Sequence, residues 1–151
     1  MALDDDIRIL ERVKLLDGFS QEQLRLLAFG AENMRLRAGR ELYQEGAEAD
    51  CAFIVSTGTV ELFRNRDGAR ITVATAGPGT ILGEFALIAG GTRHTGAAAQ
   101  TDIEVIRLNR SLFRRILEEY PDLAGALRQR IIADMRNFLS RIEQLGTRFK
   151  D

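Results

Sequence analysis

From residue 32 to residue 108 the chain is written in short strands. "AFIVS" (52–56), "TVELFR" (59–64), "ITVAT" (71–75) and "IEVIRL" (103–108) are rich in β-branched or aromatic residues, with turn residues between them. This pattern constrains the fold more than any other, because many short strands expose many edges and an antiparallel sheet removes its edges by closing on itself. The expectation is a small antiparallel barrel or jelly roll over about 31–108, with "NRDG" at 65–68 as a hairpin turn.

The flanks read as helices. "IRILERVKLL" (7–16) repeats apolar residues at helical spacing, Ser20 with Gln23 makes a capping box before "LRLLAF" (24–29), and Gly30 is a natural stop. Two N-terminal helices are therefore expected over about 4–30. Asn109 is placed to cap "RSLFRRILEEY", Pro121 interrupts, and a last helix follows from about 122 to 147, so that C-terminal helices fill about 110–148. With 151 residues, 45% of them hydrophobic, the chain fits one domain over 1–151 that buries roughly two thirds of its unfolded surface. No linker and no repeat divides it.

Charge and residue usage exclude several classes of function. The 21 basic and 22 acidic residues leave a net charge of −1, which gives no global attraction to nucleic acid or to an anionic membrane. Cys51 stands alone, "MALDDDIRIL" is acidic where a secretory signal is basic, and no apolar run approaches the roughly 20 residues of a membrane helix. A soluble, cytoplasmic protein is expected. His94 is the single histidine, too few for a metal-dependent jelly-roll enzyme, and one cysteine cannot hold an iron–sulfur cluster. No serine or cysteine nucleophile has a histidine base to spare. The chain reads as a non-enzyme without cofactor.

The chemistry concentrates in "GPGTILGEFALIAGGTRHTG" (77–96). A P-loop fails, since Gly83 is followed by Glu84 and not by Lys-Ser/Thr. Gly77, Gly79 and Gly83 form GxGxxxG, but a dinucleotide fingerprint must open a long helix, and only "EFALIA" follows. Gly77, Pro78 and Gly79 read equally well as turn residues. The third candidate is a short helix opened by Gly83, with free amides at Glu84, Phe85 and Ala86 facing an anion and Arg93 closing over it. Such a site suits a cyclic phosphate. Glu84 would accept from the ribose 2′-hydroxyl while its other oxygen holds the Arg93 guanidinium flat.

"GEFALIAGGTRHT" resembles the phosphate-binding cassette of the cyclic nucleotide-binding domain, as in catabolite-activator-type proteins and regulatory subunits of cyclic AMP-dependent kinase. "YQEGAEADCAFIVSTGTVELF" (43–63) and "GPGTILGE" (77–84) agree with it, and the resemblance covers roughly residues 10–140. It implies an eight-stranded jelly-roll barrel flanked by helices, mainly β, with the last helix closing over the bound base. By the same resemblance Gly83, Glu84, Phe85, Ala86 and Arg93 are ligand contacts. Thr92 stands where the family has proline, and His94 where it has a small residue. His94 is either a solvated loop residue or a phosphate contact that strengthens binding on protonation.

Selectivity for cyclic GMP in the family often rests on a hydroxyl directly after the cassette arginine. His94 holds that position, and Thr95 should point to the other side by strand alternation. Cyclic AMP is therefore the expected ligand, its base resting near Asn137, Phe138 and Ser140, with cyclic GMP disfavoured. Ile131, Met135, Phe138, Ile142, Leu145 and Phe149 repeat at alternating steps of four and three; part of this stripe must pack on the chain's own barrel, but it outlasts what such a barrel covers, which predicts a parallel homodimer through the last helix. Catabolite-activator-type regulators carry a helix-turn-helix after that helix, for which a chain ending at Asp151 has no room, so DNA binding by this chain is not expected. The alternatives are a ligand-free dimerising or docking module, or the sensor half of a transcription regulator. The downstream partner is not named by the sequence.

Overall fold

The computed structural model describes the backbone of residues 2–150 and the side chains of residues 3–144. Two helices, α1 (Ala2–Glu11) and α2 (Gln21–Gly30), are joined through a 3-10 turn at Lys14–Leu16. Ser20 caps α2 in the expected reciprocal way: its hydroxyl accepts from the Gln23 backbone N–H, and the Gln23 side chain accepts from the Ser20 N–H. Gly30 does not stop the helix by its conformation. It is the last helical residue, Ala31 is the C-cap, and a Cβ at position 30 would collide with the Leu112 side chain.

Eight strands follow: β1 (Glu32–Leu36), β2 (Glu41–Tyr43), β3 (Cys51–Thr57), β4 (Val60–Arg66), β5 (Ala69–Ala76), β6 (Ile81–Leu82), β7 (Gly96–Ala99) and β8 (Ile103–Asn109). They pair antiparallel in two four-stranded sheets, ordered β1-β8-β3-β6 and β2-β7-β4-β5. The jelly roll is thus two facing sheets, not one continuous barrel. The terminal strands β2 and β6, three and two residues long, are too short to carry a ladder from one sheet into the other. The β4–β5 hairpin turns at Asp67 and Gly68, with φ of 52° and 79°, the two left-handed positions of a type I′ turn.

Strand alternation divides the core in two. Cys51, Phe53 and Val55 of β3, with Ile103 and Val105 of β8, fill the space between the sheets. Ala52 and Ile54, with Ile106 and Leu108, face the other way and pack under the helices. Both faces of β3 are therefore buried, which explains its almost unbroken apolar run. Two helices close the chain, α3 (Arg110–Glu119) and α4 (Pro121–Lys150). Asn109 holds the N-cap position of α3 without a side-chain capping bond, and Pro121 is the first residue of α4, where no N–H is needed. Among the described residues no helix is long and apolar enough to cross a membrane.

The docking of α4 shows how much of its apolar stripe packs on the chain's own fold: Ile131 and Ile142 are buried, while Met135 and Phe138 are half-buried. Ile131 is fully buried beside Phe113 and Leu127, Phe138 packs against the core between the sheets, and Ile142 is 5% exposed. The chain's own fold takes up these positions, leaving no surface on Ile131 for a second copy. The side chains of Leu145 and Phe149, the other members of the predicted seam, lie outside the described residues. Arg130, next to Ile131, ties the helix to the Lys14–Asp17 segment, its Nη1 donating to the carbonyls of Leu15 (3.2 Å) and Asp17 (2.5 Å).

Candidate ligand-binding site

The docked α4 and the jelly roll enclose a cavity of about 710 Å³, within the size range of small-ligand sites. Its floor is the glycine stretch. Gly83 is left-handed (φ 73°, ψ 31°) and turns the chain out of β6 into a 3-10 helix at Glu84–Leu87. The left-handed φ favours glycine here, and a Cβ at position 83 would also have to push aside Nη1 of Arg93. The expected helix is present but tighter than an α-helix, and two of its three expected free amides have partners. The Ala86 N–H donates to the Gly83 carbonyl (3.1 Å), and the Glu84 N–H donates to its own carboxylate.

The second arm of the floor is held by pairing with the loop before β3. The Ala49 N–H donates to the Gly91 carbonyl (2.9 Å), the Arg93 N–H to Ala47 (2.8 Å), and the Gly46 N–H to Arg93 (2.8 Å). These bonds fix the backbone from which Arg93 reaches inward. Its side chain is only 7% exposed, and its guanidinium lies 4.4 Å from the Tyr43 ring centroid and 5.7 Å from that of Phe53. Nη2 donates to the Cys51 Sγ at 3.4 Å, and Nε is buried with no partner. A buried cation with an unsatisfied donor is costly unless an anion meets it. Beneath it, burial pushes the Tyr43 phenol up to about 12, against the Arg93 charge and a side-chain hydrogen bond with Thr95.

Glu84 and Arg93 do not form the forked pair expected from the sequence. The guanidinium is stacked on Tyr43, while the Glu84 carboxylate turns back onto its own amide. Burial pushes the Glu84 carboxyl up to about 7; its own N–H lowers it and the Asp134 carboxylate on α4 raises it further.

Of the residues expected at the site, Gly83, Glu84, Phe85, Ala86, Arg93 and His94 line the cavity, joined from α4 by Asn137 and Phe138. His94 is exposed at the rim. Thr95 does not line it: alternation turns its side chain inward beside Tyr43, where it is 3% exposed. Ser140 is exposed and outside the lining, because 100° per residue puts it on another face from Phe138. The α4 residues on the lining face are Asp134, Met135, Asn137, Phe138 and Arg141, so Arg141 takes the place expected for Ser140. The guanidinium of Arg141 lies 5.8 Å from the Phe138 ring centroid. Sequence reasoning missed Asp134 and Arg141; their spacing of three and four from Phe138 was the available signal. Among the described residues no group of three or more His, Cys, Asp and Glu side chains could hold a metal ion.

Residues 33–120, which include both arms of this floor, match the sequence profile described as cyclic nucleotide-binding domain. The chain belongs to the cyclic nucleotide-binding domain family. It is 63% identical to a cyclic nucleotide-binding-like protein of Brucella abortus, whose solved structure matches at a TM-score of 0.70 over 76% of this chain and 99% of that one. It is 32% identical over 120 residues to a cAMP-dependent protein kinase regulatory subunit of Eremothecium gossypii, covering 80% of this chain and 24% of that protein. A cGMP-dependent protein kinase of Caenorhabditis briggsae, egl-4, is 32% identical over 133 residues, or 88% of this chain and 16% of the kinase. This cyclic nucleotide-binding domain thus spans about a quarter or less of the length of these kinase relatives.

Proposed function

We propose that the chain is a regulatory sensor domain that binds cyclic AMP in this cavity in preference to cyclic GMP and passes the signal on through α4. The observation that carries the reading is Arg93, nine-tenths buried on the cavity floor with its Nε unpartnered. A singly charged cyclic phosphate supplies the missing anion, held by the guanidinium and by the Phe85 amide, the one of the three expected donors not already paired. Glu84 then accepts from the ribose 2′-hydroxyl, and the base lies against Phe138, whose ring already has Arg141 beside it. No reacting group enters this description, and the domain is read as a binder.

The preference for adenine rests on the position after the cassette arginine. His94 is there, exposed at the rim, and the Thr95 hydroxyl is turned away, so a guanine amino group finds no hydroxyl acceptor from this segment. The relatives are divided, one being a kinase subunit named for cAMP and another a kinase named for cGMP. Competition calorimetry with the two nucleotides tests the reading: saturable binding of both with cyclic AMP tighter is expected, and no binding of either overturns it. Equal affinity, or preference for cyclic GMP, overturns the selectivity and points to Asp134, the carboxylate on the α4 wall, as guanine acceptor. Pairing of two copies along α4 would rest on the half-buried seam residues Met135 and Phe138, since Ile131 and Ile142 are covered. Sedimentation that finds only monomer at high micromolar concentration, with and without nucleotide, contradicts that part.

A further inference from the structure

Arg110 lies outside the cassette, 17 residues after Arg93, as the first residue of α3. Its side chain, half-buried, ends on two carbonyls far apart in the sequence. Nε donates to the Ala86 carbonyl and Nη2 to the Ala49 carbonyl, each at 2.5 Å, while its backbone N–H donates to Asp50 at 3.1 Å. Ala86 belongs to the arm of the floor that starts at Gly83. Ala49 belongs to the loop paired with 91–93, from which Arg93 is hung. One guanidinium therefore joins both arms from beneath.

We infer that Arg110 is a positioning residue for ligand binding, a clasp that sets the distance between the 84–86 backbone and the Arg93 side chain. The inference rests on the reading of the cavity as a cyclic nucleotide site. The planar guanidinium suits the task because its donors diverge in a fixed fork, whereas a lysine ammonium is a point charge that cannot hold two separated carbonyls in one geometry. Charge-assisted bonds to carbonyls are also the stronger kind. The same residue begins α3, and α3 leads through Tyr120 directly into α4, so the clasp ties the floor to the segment that leads into the wall helix.

The test uses the whole chain with Arg110→Met, Arg110→Lys and, as a control in the same helix, Ile116→Val, which thins the buried core under α3 without touching either carbonyl. Calorimetry is expected to show cyclic nucleotide affinity about tenfold or more weaker in R110M, the scale of lost hydrogen bonds to a charged group, with partial recovery in R110K and no change beyond twofold in I116V. In an Arg93→Lys background the further loss from R110M should shrink, because a clasp acts through Arg93. Affinity of R110M within twofold of wild type, or a loss that adds in full to that of Arg93→Lys, overturns the proposal. Hydrogen exchange without nucleotide gives a second reading: R110M should speed exchange in both 84–89 and 46–51, and I116V in neither. Exchange confined to the start of α3 overturns the clasp. If the wild-type chain binds neither nucleotide, the site reading fails, and the exchange result still decides the clasp.

Discussion

The floor and the wall of the cavity are built in opposite ways. The floor, residues 83–93, is held by backbone bonds to partners far away in the sequence: Ala47, Ala49 and Gly46 pair with Gly91 and Arg93, and Arg110 holds both arms. The wall is one face of α4, and side-chain packing places it, through Ile131 in one core, Phe138 against the other and Arg130 on the Lys14–Asp17 segment. A floor fixed by backbone geometry suits the parts of a ligand that never change, a phosphate and a ribose. A helix docked by side chains can shift without breaking a backbone ladder, the property that the proposed signalling through α4 would use.

Breaking the floor at its backbone should have the largest effect. Gly83→Val puts a β-branched residue at φ 73° and a Cβ into Arg93, at a cost of about 3 kcal/mol; nucleotide binding should be lost while circular dichroism keeps the β signal. Retained affinity would show that the floor adapts as easily as the wall. Glu84→Ala should weaken binding by about 1–3 kcal/mol, the loss of one buried hydrogen bond, as read by calorimetry.

Glu84 also gives the floor a pH signature without ligand. Its carboxyl is raised from 4.5 to about 7 by burial, so between those values the folded chain holds a proton that the unfolded chain releases. Stability should therefore fall as pH rises from about 5 to 7 and level off above. The melting temperature should drop across that window in wild type, and Glu84→Gln should flatten the drop. A wild-type curve that rises with pH would show that burial does not control this carboxyl.

The wall should respond less. Phe138→Ala is expected to cost about 1 kcal/mol of binding through lost ring contact with the base. Ser140→Ala, on the exposed side of α4, should stay within about 0.5 kcal/mol of wild type in a titration. A Ser140 effect larger than that of Phe138 would mean that α4 is rotated when ligand is bound.

The same contrast explains what was legible in the sequence. Gly83, Glu84 and Arg93 could be read because their chemistry is local: a left-handed turn, an acceptor and a buried fork within eleven residues. The hairpin at Asp67 and Gly68 and the capping box at Ser20 were legible for the same reason. Asp134 and Arg141 were not, since a helical pattern fixes which residues share a face but not which face docks, and an error of one residue, 100° around the helix, brought in Ser140 in place of Arg141. The stripe from Ile131 to Ile142 was apolar whether it met its own sheets or another copy; only docking shows that the chain buries its two ends, Ile131 and Ile142. The expected Glu84–Arg93 fork failed because aromatic rings from β2 and β3 take the guanidinium, a contact between segments that spacing within the cassette does not carry.

The central claim is that Arg93 is a buried cation awaiting the phosphate of a cyclic nucleotide. Titration calorimetry of cyclic AMP into wild type and Arg93→Ala, both checked for an intact fold, tests it most directly. One-site binding by wild type and a loss of about 2–5 kcal/mol in the variant are expected, the cost of removing one partner of a desolvated charge pair. Equal affinity of the two proteins would contradict it.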